Sequence, residues 1–200
     1  MSKIVKEFFL REDVIQISKD LIGVKLFTCI DGLVTGGIIV ETEAYMAPED
    51  KASHAYGNRH TPRTETFFKE GGIAYVYLCY GIHYLFNIVT NTTNIPHAIL
   101  IRAIEPLEGI DIMLHRRNKT KLDYSLTSGP GSLSMALGIS KRQNAISVLE
   151  NEIWLEPSDV AISEDLIIAG PRVGVSYAKD YALMPWRFFL KNSPWVSKAK

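Results

Sequence analysis

Apolar residues recur along this chain in two different periods, and the changes of period predict its first elements. Helical spacing over residues 13–21 predicts an amphipathic helix that packs against a core. Two apolar runs follow, at 24–30 and 33–43, and Asp31-Gly32 joins them. This residue pair is typical of a two-residue type I′ turn. The chain therefore opens with a helix and a β-hairpin.

A second hairpin is predicted near the middle of the chain. Residues 73–78 and 82–90 are strand-like runs, and the turn between them contains Tyr80 followed by glycine. Period two places Tyr75 and Tyr77 on one face of the first strand. Tyr80 lies at the turn, where an aromatic side chain is poorly buried.

The remaining pattern predicts a mixed α/β (α+β) fold. Residues 46–72 are a long polar passage, in which we expect one short helix over 49–55, and connections of this length are usually functional or mobile. Further predicted elements are a strand at 98–105, helices at 107–117 and 132–137, and short strands at 153–155, 166–169 and 187–190. With 46% hydrophobic residues among 200, we expect one core and a single domain over residues 1–200.

Composition excludes several classes of protein. The chain contains no stretch of about 18 apolar residues, and its start lacks the apolar run of a signal peptide, so we expect a cytoplasmic protein without a membrane partner. Its two cysteines, Cys29 and Cys79, exclude a disulfide framework and a four-cysteine zinc site. We expect both to be reduced thiols in the core.

Charge is balanced overall but unevenly distributed. The formal net charge of zero, taken alone, argues against a nucleic-acid partner. Residues 143–171 hold six acidic side chains and no lysine or arginine, whereas six basic residues lie within 116–142. A dipolar molecule can still present one positive face to DNA. The alternative is a solvated surface of both signs.

Two carboxylates lie at the end of the first hairpin. Glu41 and Glu43 are two residues apart, so they share one face of a strand. Same-face carboxylates also occur in glycoside hydrolases, where one is the acid and the other the base or nucleophile. Arg102, on the third predicted strand, needs a partner if it is buried. Pairing with either carboxylate would satisfy it, and the pattern alone does not choose between them.

Several ordered motifs resemble the 3-methyladenine (alkyladenine) DNA glycosylase family. The matching residues are Val40-Glu-Thr-Glu-Ala-Tyr45, Pro48-Glu-Asp50, Ser53-His54, Thr61-Pro-Arg63, Tyr75-Val-Tyr77, Tyr80-Gly81, Asn87, Arg102-Ala-Ile-Glu-Pro-Leu-Glu-Gly109, Ser128-Gly-Pro130, Arg172-Val-Gly174 and Ser193-Pro-Trp-Val-Ser197. The resemblance implies a curved, mainly antiparallel sheet with surrounding helices and a protruding hairpin that enters the DNA minor groove. It also implies base-excision repair, with double-stranded DNA containing damaged purines as the partner.

The resemblance implies a role for each matching position. Glu43 is the general base that activates a water, and Arg102 lies near that water and the phosphate of the lesion, which leaves a structural role to Glu41. Tyr80 fills the gap left by a flipped nucleotide. The base pocket consists of Tyr45, His54, Tyr77 and Asn87, of which Asn87 excludes the exocyclic amine of guanine.

Aromatic walls suit alkylated purines. Stacking is worth about 1–3 kcal/mol per base, and a cationic base, such as 3-methyladenine or 7-methylguanine, gains about 0.5–2 kcal/mol more over an aromatic face. Neutral hypoxanthine and ethenoadenine would need an acid that the sequence does not clearly supply. No lysine nucleophile is evident, so we expect a free base and an abasic site without strand cleavage. We expect a monomer without metal or cofactor.

Phosphate contacts are expected from scattered basic groups. Candidates for the DNA backbone are Arg59, Arg63, Lys141 and Arg142. The glycine-rich turn at 128–133 offers free amide groups before a helix, although such a turn also occurs without a ligand. Where relatives have a lysine after Gly-Pro, this chain has Gly131-Ser132, so that contact is replaced by backbone amides or is lost.

Two other classes of function compete with this interpretation. A metal hydrolase could use the histidines at positions 54, 83, 97 and 115, but they are dispersed and form no HExxH motif. A protein that only binds damaged DNA would keep the tyrosines but would not need Glu43.

Overall fold

The computed structural model describes residues 2–198 and has the predicted mixed α/β class. Its strands are β1 (Lys25–Ile30), β2 (Leu33–Met46), β3 (Ala74–Cys79), β4 (His83–Thr90), β5 (His97–Glu108), β6 (Ile153–Glu156), β7 (Ile167–Gly170) and β8 (Arg187–Leu190). Its α-helices are α1 (Lys6–Phe9), α2 (Val14–Asp20), α3 (Ile110–Arg116) and α4 (Pro130–Leu137). Short 3-10 helices occupy Tyr56–Asn58, Glu65–Phe68, Tyr124–Leu126, Lys141–Gln143, Glu164–Leu166 and Ser176–Leu183.

The strands form one sheet in which the neighbours are antiparallel, as expected. The order is β3-β4-β5-β2-β1-β6, so β2 is central. One side of β2 pairs with β5. On its other side, residues 33–38 pair with β1, whereas residues 41–43 pair with β8. The sheet therefore divides at β2, and both candidate carboxylates lie at the division.

Helices cover the sheet and complete the core. The helix α2 packs on β2, and α4 packs on β4 and β5. Asp13 caps α2 by accepting the Gln16 backbone N–H, and α4 begins with Pro130 and ends at Gly138 with a positive φ of 76°. Both helices bury their apolar faces, including Ile17 and Leu137, and this burial stabilises them far more than their own short length could.

Both predicted hairpins are confirmed. Asp31 and Gly32 have φ values of 55° and 76°, and Tyr80 and Gly81 have values of 48° and 71°. A type I′ turn requires positive φ at both central residues. This conformation suits glycine and aspartate but is unusual for tyrosine, and such backbone strain is concentrated at functional sites.

The predicted helix at 49–55 is wrong. The segment is a series of turns, because side chains take the backbone hydrogen bonds that a helix would need. Asp50 accepts the N–H groups of Met46 and Ala52, and Ser53 Oγ accepts that of Ala55. The first 3-10 helix of this passage begins only at Tyr56.

Three other expectations need smaller corrections. The strand predicted at 98–105 runs over His97–Glu108, so the next helix begins at Ile110 instead of residue 107, after Gly109 with a φ of 68°. Cys29 and Cys79 are free thiols, but both are half-buried instead of lying in the core. Among residues 2–198, no helix has the length and apolar character needed to cross a membrane.

Candidate active site

A cavity of about 580 Å³ opens beside the β3–β4 hairpin. This volume is within the range of about 300–1,000 Å³ that is usual for sites of small ligands. The 46–72 passage and residues 173–177 form the other walls. We call this pocket the base cavity. The predicted residues that line it are Tyr45, His54, Arg63, Tyr77, Tyr80, Asn87 and Arg102.

Aromatic rings form one wall of the base cavity. Tyr75 and Tyr77 stack with ring centroids 5.4 Å apart, and His54 stands edge-on to Tyr77 at 4.6 Å. His54 Nδ1 lies 2.9 Å from the Tyr75 hydroxyl. Burial, assisted by the charge of Arg63, lowers the pKa of His54 to about 4. The imidazole is therefore neutral at pH 7. One ring nitrogen can donate a hydrogen bond and the other can accept one, whether the base is neutral or charged.

Glu43 lies behind this cavity with no exposed surface. One carboxylate oxygen, Oε1, accepts the Val173 backbone N–H at 2.7 Å and faces Arg102 Nη1 at 3.2 Å. The other oxygen, Oε2, accepts the Tyr45 hydroxyl at 2.8 Å. Burial raises the pKa of Glu43, and Arg102, Val173 and Tyr45 offset part of that increase. A buried carboxylate with a raised pKa is suited to accept a proton near neutral pH.

Glu41 is equally buried but bound differently. Its Oε1 accepts Arg102 Nε at 2.8 Å, Arg187 Nη1 at 3.2 Å and the Ser197 hydroxyl at 2.9 Å. Its Oε2 accepts the Ser197 backbone N–H at 2.7 Å. Four protein donors therefore hold Glu41, three on Oε1 and one on Oε2, which gives it a structural environment.

Arg102 reaches both carboxylates because the sheet is irregular beside them. Between β2 and β5, Ile39 pairs with Ile104 and Glu41 with Ala103, but Thr42 pairs with Ile101. These register shifts leave Val40 and Arg102 without partners in the ladder. Two roles were expected for Arg102, a pairing with a glutamate and a place in the site, and it has both positions. It pairs with both glutamates and also lines the base cavity.

A second buried ion pair, to which no role was assigned from the sequence, lies beside the cavity. Arg172 binds Asp50 through both terminal nitrogens, at 2.5 and 2.8 Å, and neither side chain has exposed surface. The guanidinium also lies over the Tyr45 ring, with its carbon 4.7 Å from the ring centroid. This pair joins the turn before His54 to the segment whose Val173 N–H binds Glu43. The matching motifs Pro48-Glu-Asp50 and Arg172-Val-Gly174 were the only sequence signal for it.

Tyr80 projects from the tip of the β3–β4 hairpin. Its side chain is 90% exposed, and Leu78 and Ile82 on either side are 46% and 70% exposed. The Ile82 N–H donates to the Cys79 carbonyl and closes the turn. An exposed apolar tip on a closed two-residue turn has the shape of a rigid wedge.

The predicted basic residues separate into two groups. Arg59 and Arg63 line a second cleft of about 380 Å³, which adjoins the base cavity at His54 and Tyr177, and Arg63 also lines the base cavity. Lys141 and Arg142 are exposed on a 3-10 helix, line neither cavity, and Arg142 lies 3.5 Å from Asp31.

Charge at the start of α4 comes from outside the motif. Arg117 Nη2 donates to the Ser132 hydroxyl at 3.1 Å. A guanidinium therefore lies beside the position after Gly-Pro at which this chain lacks the lysine of its relatives. The acidic side chains of the 143–171 segment begin only at Glu150, close to β6, and β6 lies at the opposite end of the strand path from β3. The four histidines proposed for a metal site do not come together, and the described residues contain no group of three or more potential ligands among His, Cys, Asp and Glu.

Comparisons with known proteins identify the family of this chain. The sequence model of the methylpurine-DNA glycosylase family matches residues 7–194. A Chlamydia felis protein, provisionally named 3-methyladenine DNA glycosylase, is 46% identical over 186 residues, which cover 92% of this chain and 94% of the relative. A Bacillus cereus (strain G9842) protein with the same provisional name is 46% identical over 198 residues, with coverage of 95% and 97%. The chain therefore belongs to the methylpurine-DNA glycosylase family, whose hydrolases act in base-excision repair.

Proposed function

We propose that this protein is a monofunctional glycosylase that hydrolyses the N-glycosidic bond of alkylated purines in duplex DNA. One observation carries the proposal: an aromatic cavity has a buried carboxylate at its back and an exposed aromatic wedge at its rim. A stacking surface, a proton acceptor and a wedge are the parts that excision of a flipped base requires. The protein acts on damaged DNA as a monomer and uses no cofactor.

Flipping is the first step. The C1′ atom of a stacked nucleotide is not accessible to a water held inside the protein, so the nucleotide must rotate out of the duplex. Tyr80 enters the vacated position, and its exposed neighbours Leu78 and Ile82 contact the adjacent base steps. The strained turn supports this role because it holds the ring outward before DNA binds.

Recognition of the flipped base uses Tyr45, His54 and Tyr77. Aromatic rings stack on purines of many shapes, so the cavity accepts different damaged purines as long as they fit its size. Asn87 is buried and donates from Nδ2 to the Tyr75 carbonyl, which fixes its amide in the cavity wall. A fixed amide disfavours a base that presents an exocyclic amine at that place, so unmodified guanine, whose glycosidic bond is also stable, is left in the duplex. The base 7-methylguanine carries the same amine but has a labile bond, which compensates for it. The substrates are 3-methyladenine and 7-methylguanine.

Glu43 accepts a proton from the water that attacks C1′. Its Oε2 is held by the hydroxyl of Tyr45, a residue that lines the base cavity. Because Glu43 has no exposed surface, the attacking water must take a place beside this hydroxyl when DNA binds. The ionised carboxylate also stabilises the positive charge that develops on the sugar. Arg102 holds Glu43 from the opposite side and keeps the carboxylate oriented.

The products are a free base and an intact abasic strand. The electrons of the C1′–N bond leave with the base, so a cationic base departs as a neutral molecule. No lysine among the described residues lines the base cavity, and the nearest cleft contributes only Lys51. An amine that could form a Schiff base with C1′ is therefore absent from this part of the wall.

The test is release of free base from duplex DNA treated with a methylating agent, in the presence of EDTA. We expect 3-methyladenine and 7-methylguanine in the supernatant and a strand that breaks only after alkali or heat. Selective binding without release would identify a protein that only recognises damage. Loss of activity with the chelator would support a metal hydrolase, and direct strand cleavage would contradict the monofunctional mechanism.

A further inference from the structure

Arg63 lies inside the base cavity, although a residue that only contacts the DNA backbone would not need to lie there. Its guanidinium carbon lies 5.4 Å from the centroid of the Tyr77 ring, and the side chain lines the base cavity. No carboxylate in the described part of the chain forms an ion pair with it. A positive charge without an acidic partner therefore faces the position of a bound base.

The other charges around the site compensate one another. Each of the three buried carboxylates pairs with at least one guanidinium, and Arg63 is the additional cation. The carboxylates are Glu41, Glu43 and Asp50, and the paired guanidiniums are Arg102, Arg172 and Arg187. Tyr45 and Tyr77, the two tyrosines proposed to stack on the base, each have a guanidinium over the ring. Arg172 lies over Tyr45, and Arg63 lies over Tyr77.

This arrangement does not specially favour a cationic base. A base with a positive charge that stacks on Tyr77 competes with Arg63 for the same electron-rich ring. A neutral purine has no such conflict, but its departure is harder, because it takes the bond electrons and becomes an anion. A guanidinium beside the leaving base lowers the energy of that anion.

We propose that Arg63 contacts the leaving base and stabilises the negative charge that develops on a neutral purine such as hypoxanthine. This inference rests on the proposed glycosylase function. As the C1′–N9 bond breaks, its electron pair passes to the purine, and the water oxygen bonds to C1′. Glu43 takes one proton of that water, and solvent then protonates the purine anion. Arg63 stays protonated throughout.

The assignment predicts opposite sensitivity of two lesion classes to one side chain. Hypoxanthine release depends on Arg63, because its leaving group becomes negative. Release of 7-methylguanine does not, because the departing base becomes neutral and needs no cation. Loss of the guanidinium also removes a competitor for the Tyr77 face, so the cationic lesion binds at least as well as before.

The experiment measures single-turnover base release with enzyme in excess, from duplexes that contain one hypoxanthine or one 7-methylguanine. For Arg63→Gln, we expect the hypoxanthine rate to fall at least about tenfold, in keeping with loss of a donor to a developing anion, and the 7-methylguanine rate to change less than about twofold. Arg63→Lys should restore part of the hypoxanthine rate, because it returns the charge without the planar fork.

The matched control is Arg59→Gln, which removes the same charge from the adjoining cleft but not from the base cavity. We expect it to affect both lesions equally, through DNA affinity. Equal losses on both lesions with Arg63→Gln would overturn the assignment, as would a wild type that releases 7-methylguanine but no hypoxanthine. A wild type that releases neither base would instead overturn the proposed function.

Discussion

Glu41 and Glu43 are the same chemical group, two residues apart on one strand and equally buried, yet their surroundings differ. The donors around Glu41 come from two arginines and from Ser197, and its carboxylate is enclosed by protein. One donor of Glu43 is the hydroxyl of Tyr45, a residue that lines the base cavity. Burial alone therefore does not distinguish the two carboxylates, whereas the positions of their donors do.

The largest predicted effect separates the two residues by a matched substitution to glutamine. Glu43→Gln should lower base release by about 10²- to 10⁴-fold, because it removes the proton acceptor. The fold should persist, since Gln Oε1 can accept from Val173 and Arg102 while its amide group donates to the Tyr45 hydroxyl. Single-turnover release of 7-methylguanine, together with binding to the damaged duplex, measures this loss.

Glu41→Gln is the control and should fail in the opposite way. An amide N–H₂ in either orientation meets a donor, either the Ser197 N–H or a guanidinium. Arg187 also loses its carboxylate, and Arg102 keeps only that of Glu43. Removing one partner of such a buried pair costs about 3–5 kcal/mol of unfolding free energy. Base release per folded molecule should be retained. A Glu41→Gln variant that is stable but inactive would show that the general base was wrongly assigned to Glu43.

The pH dependence of stability sharpens the same comparison. The pKa of Glu43 is raised in the folded state, so the stability that this group contributes is present below the ordinary carboxyl pKa and is lost as the pH rises through the raised value. In the same denaturation series, Glu43→Gln should therefore be at least as stable as wild type at neutral pH. That advantage should shrink in acid.

A smaller effect is expected from Tyr45→Phe. The hydroxyl lowers the pKa of Glu43 by donating to it, and a donor to a charged group is worth about 1.5–3 kcal/mol. Its loss should raise that pKa further. Since the base works when ionised, the acid limb of the rate profile should move to higher pH. Single-turnover rates against pH test this, and a limb that stays in place would argue that Glu43 does not control it.

The smallest effect belongs to the Glu41 side. Ser197→Ala removes the hydroxyl that donates to Glu41 but keeps the backbone N–H on the other oxygen. We expect a loss of about 1–3 kcal/mol in chemical denaturation and an unchanged 7-methylguanine release rate. A change in release rate without a change in stability would show that the two carboxylate environments are coupled through Arg102.

Local signals predicted much of the fold. The residue pairs Asp31-Gly32 and Tyr80-Gly81 located both hairpins, because a tight turn depends on the conformation of two adjacent residues. The spacing of Glu41 and Glu43 predicted that they share one face of a strand, and Arg102, for which either was an expected partner, contacts both. The helix expected at 49–55 failed because Asp50 points inward to Arg172, more than 100 residues later in the chain. Local pattern contains no information about such a partner.

The site was predictable in its side chains but not in its backbone. The resemblance located the residues that line the base cavity, but the Val173 and Ser197 N–H groups that bind the two glutamates have no residue-type signal. Every residue except proline carries an N–H, so only the folded chain shows which one meets a carboxylate. Arg63 shows the same limit, because its basic character predicted a phosphate contact and only the structure revealed the Tyr77 ring beside it.

Ser197 gives the carboxylate environment of Glu41 a place in the order of protein synthesis. The partners of Glu41 lie at residues 102, 187 and 197, so they leave the ribosome one after another. Until Ser197 has emerged, the Oε2 atom of the Glu41 carboxylate has no backbone donor. Burial of this charged group on β2 is then less stable than in the complete protein. We therefore expect residues 41–43 of β2 to reach their full stability only after β8 and Ser197 have been synthesised.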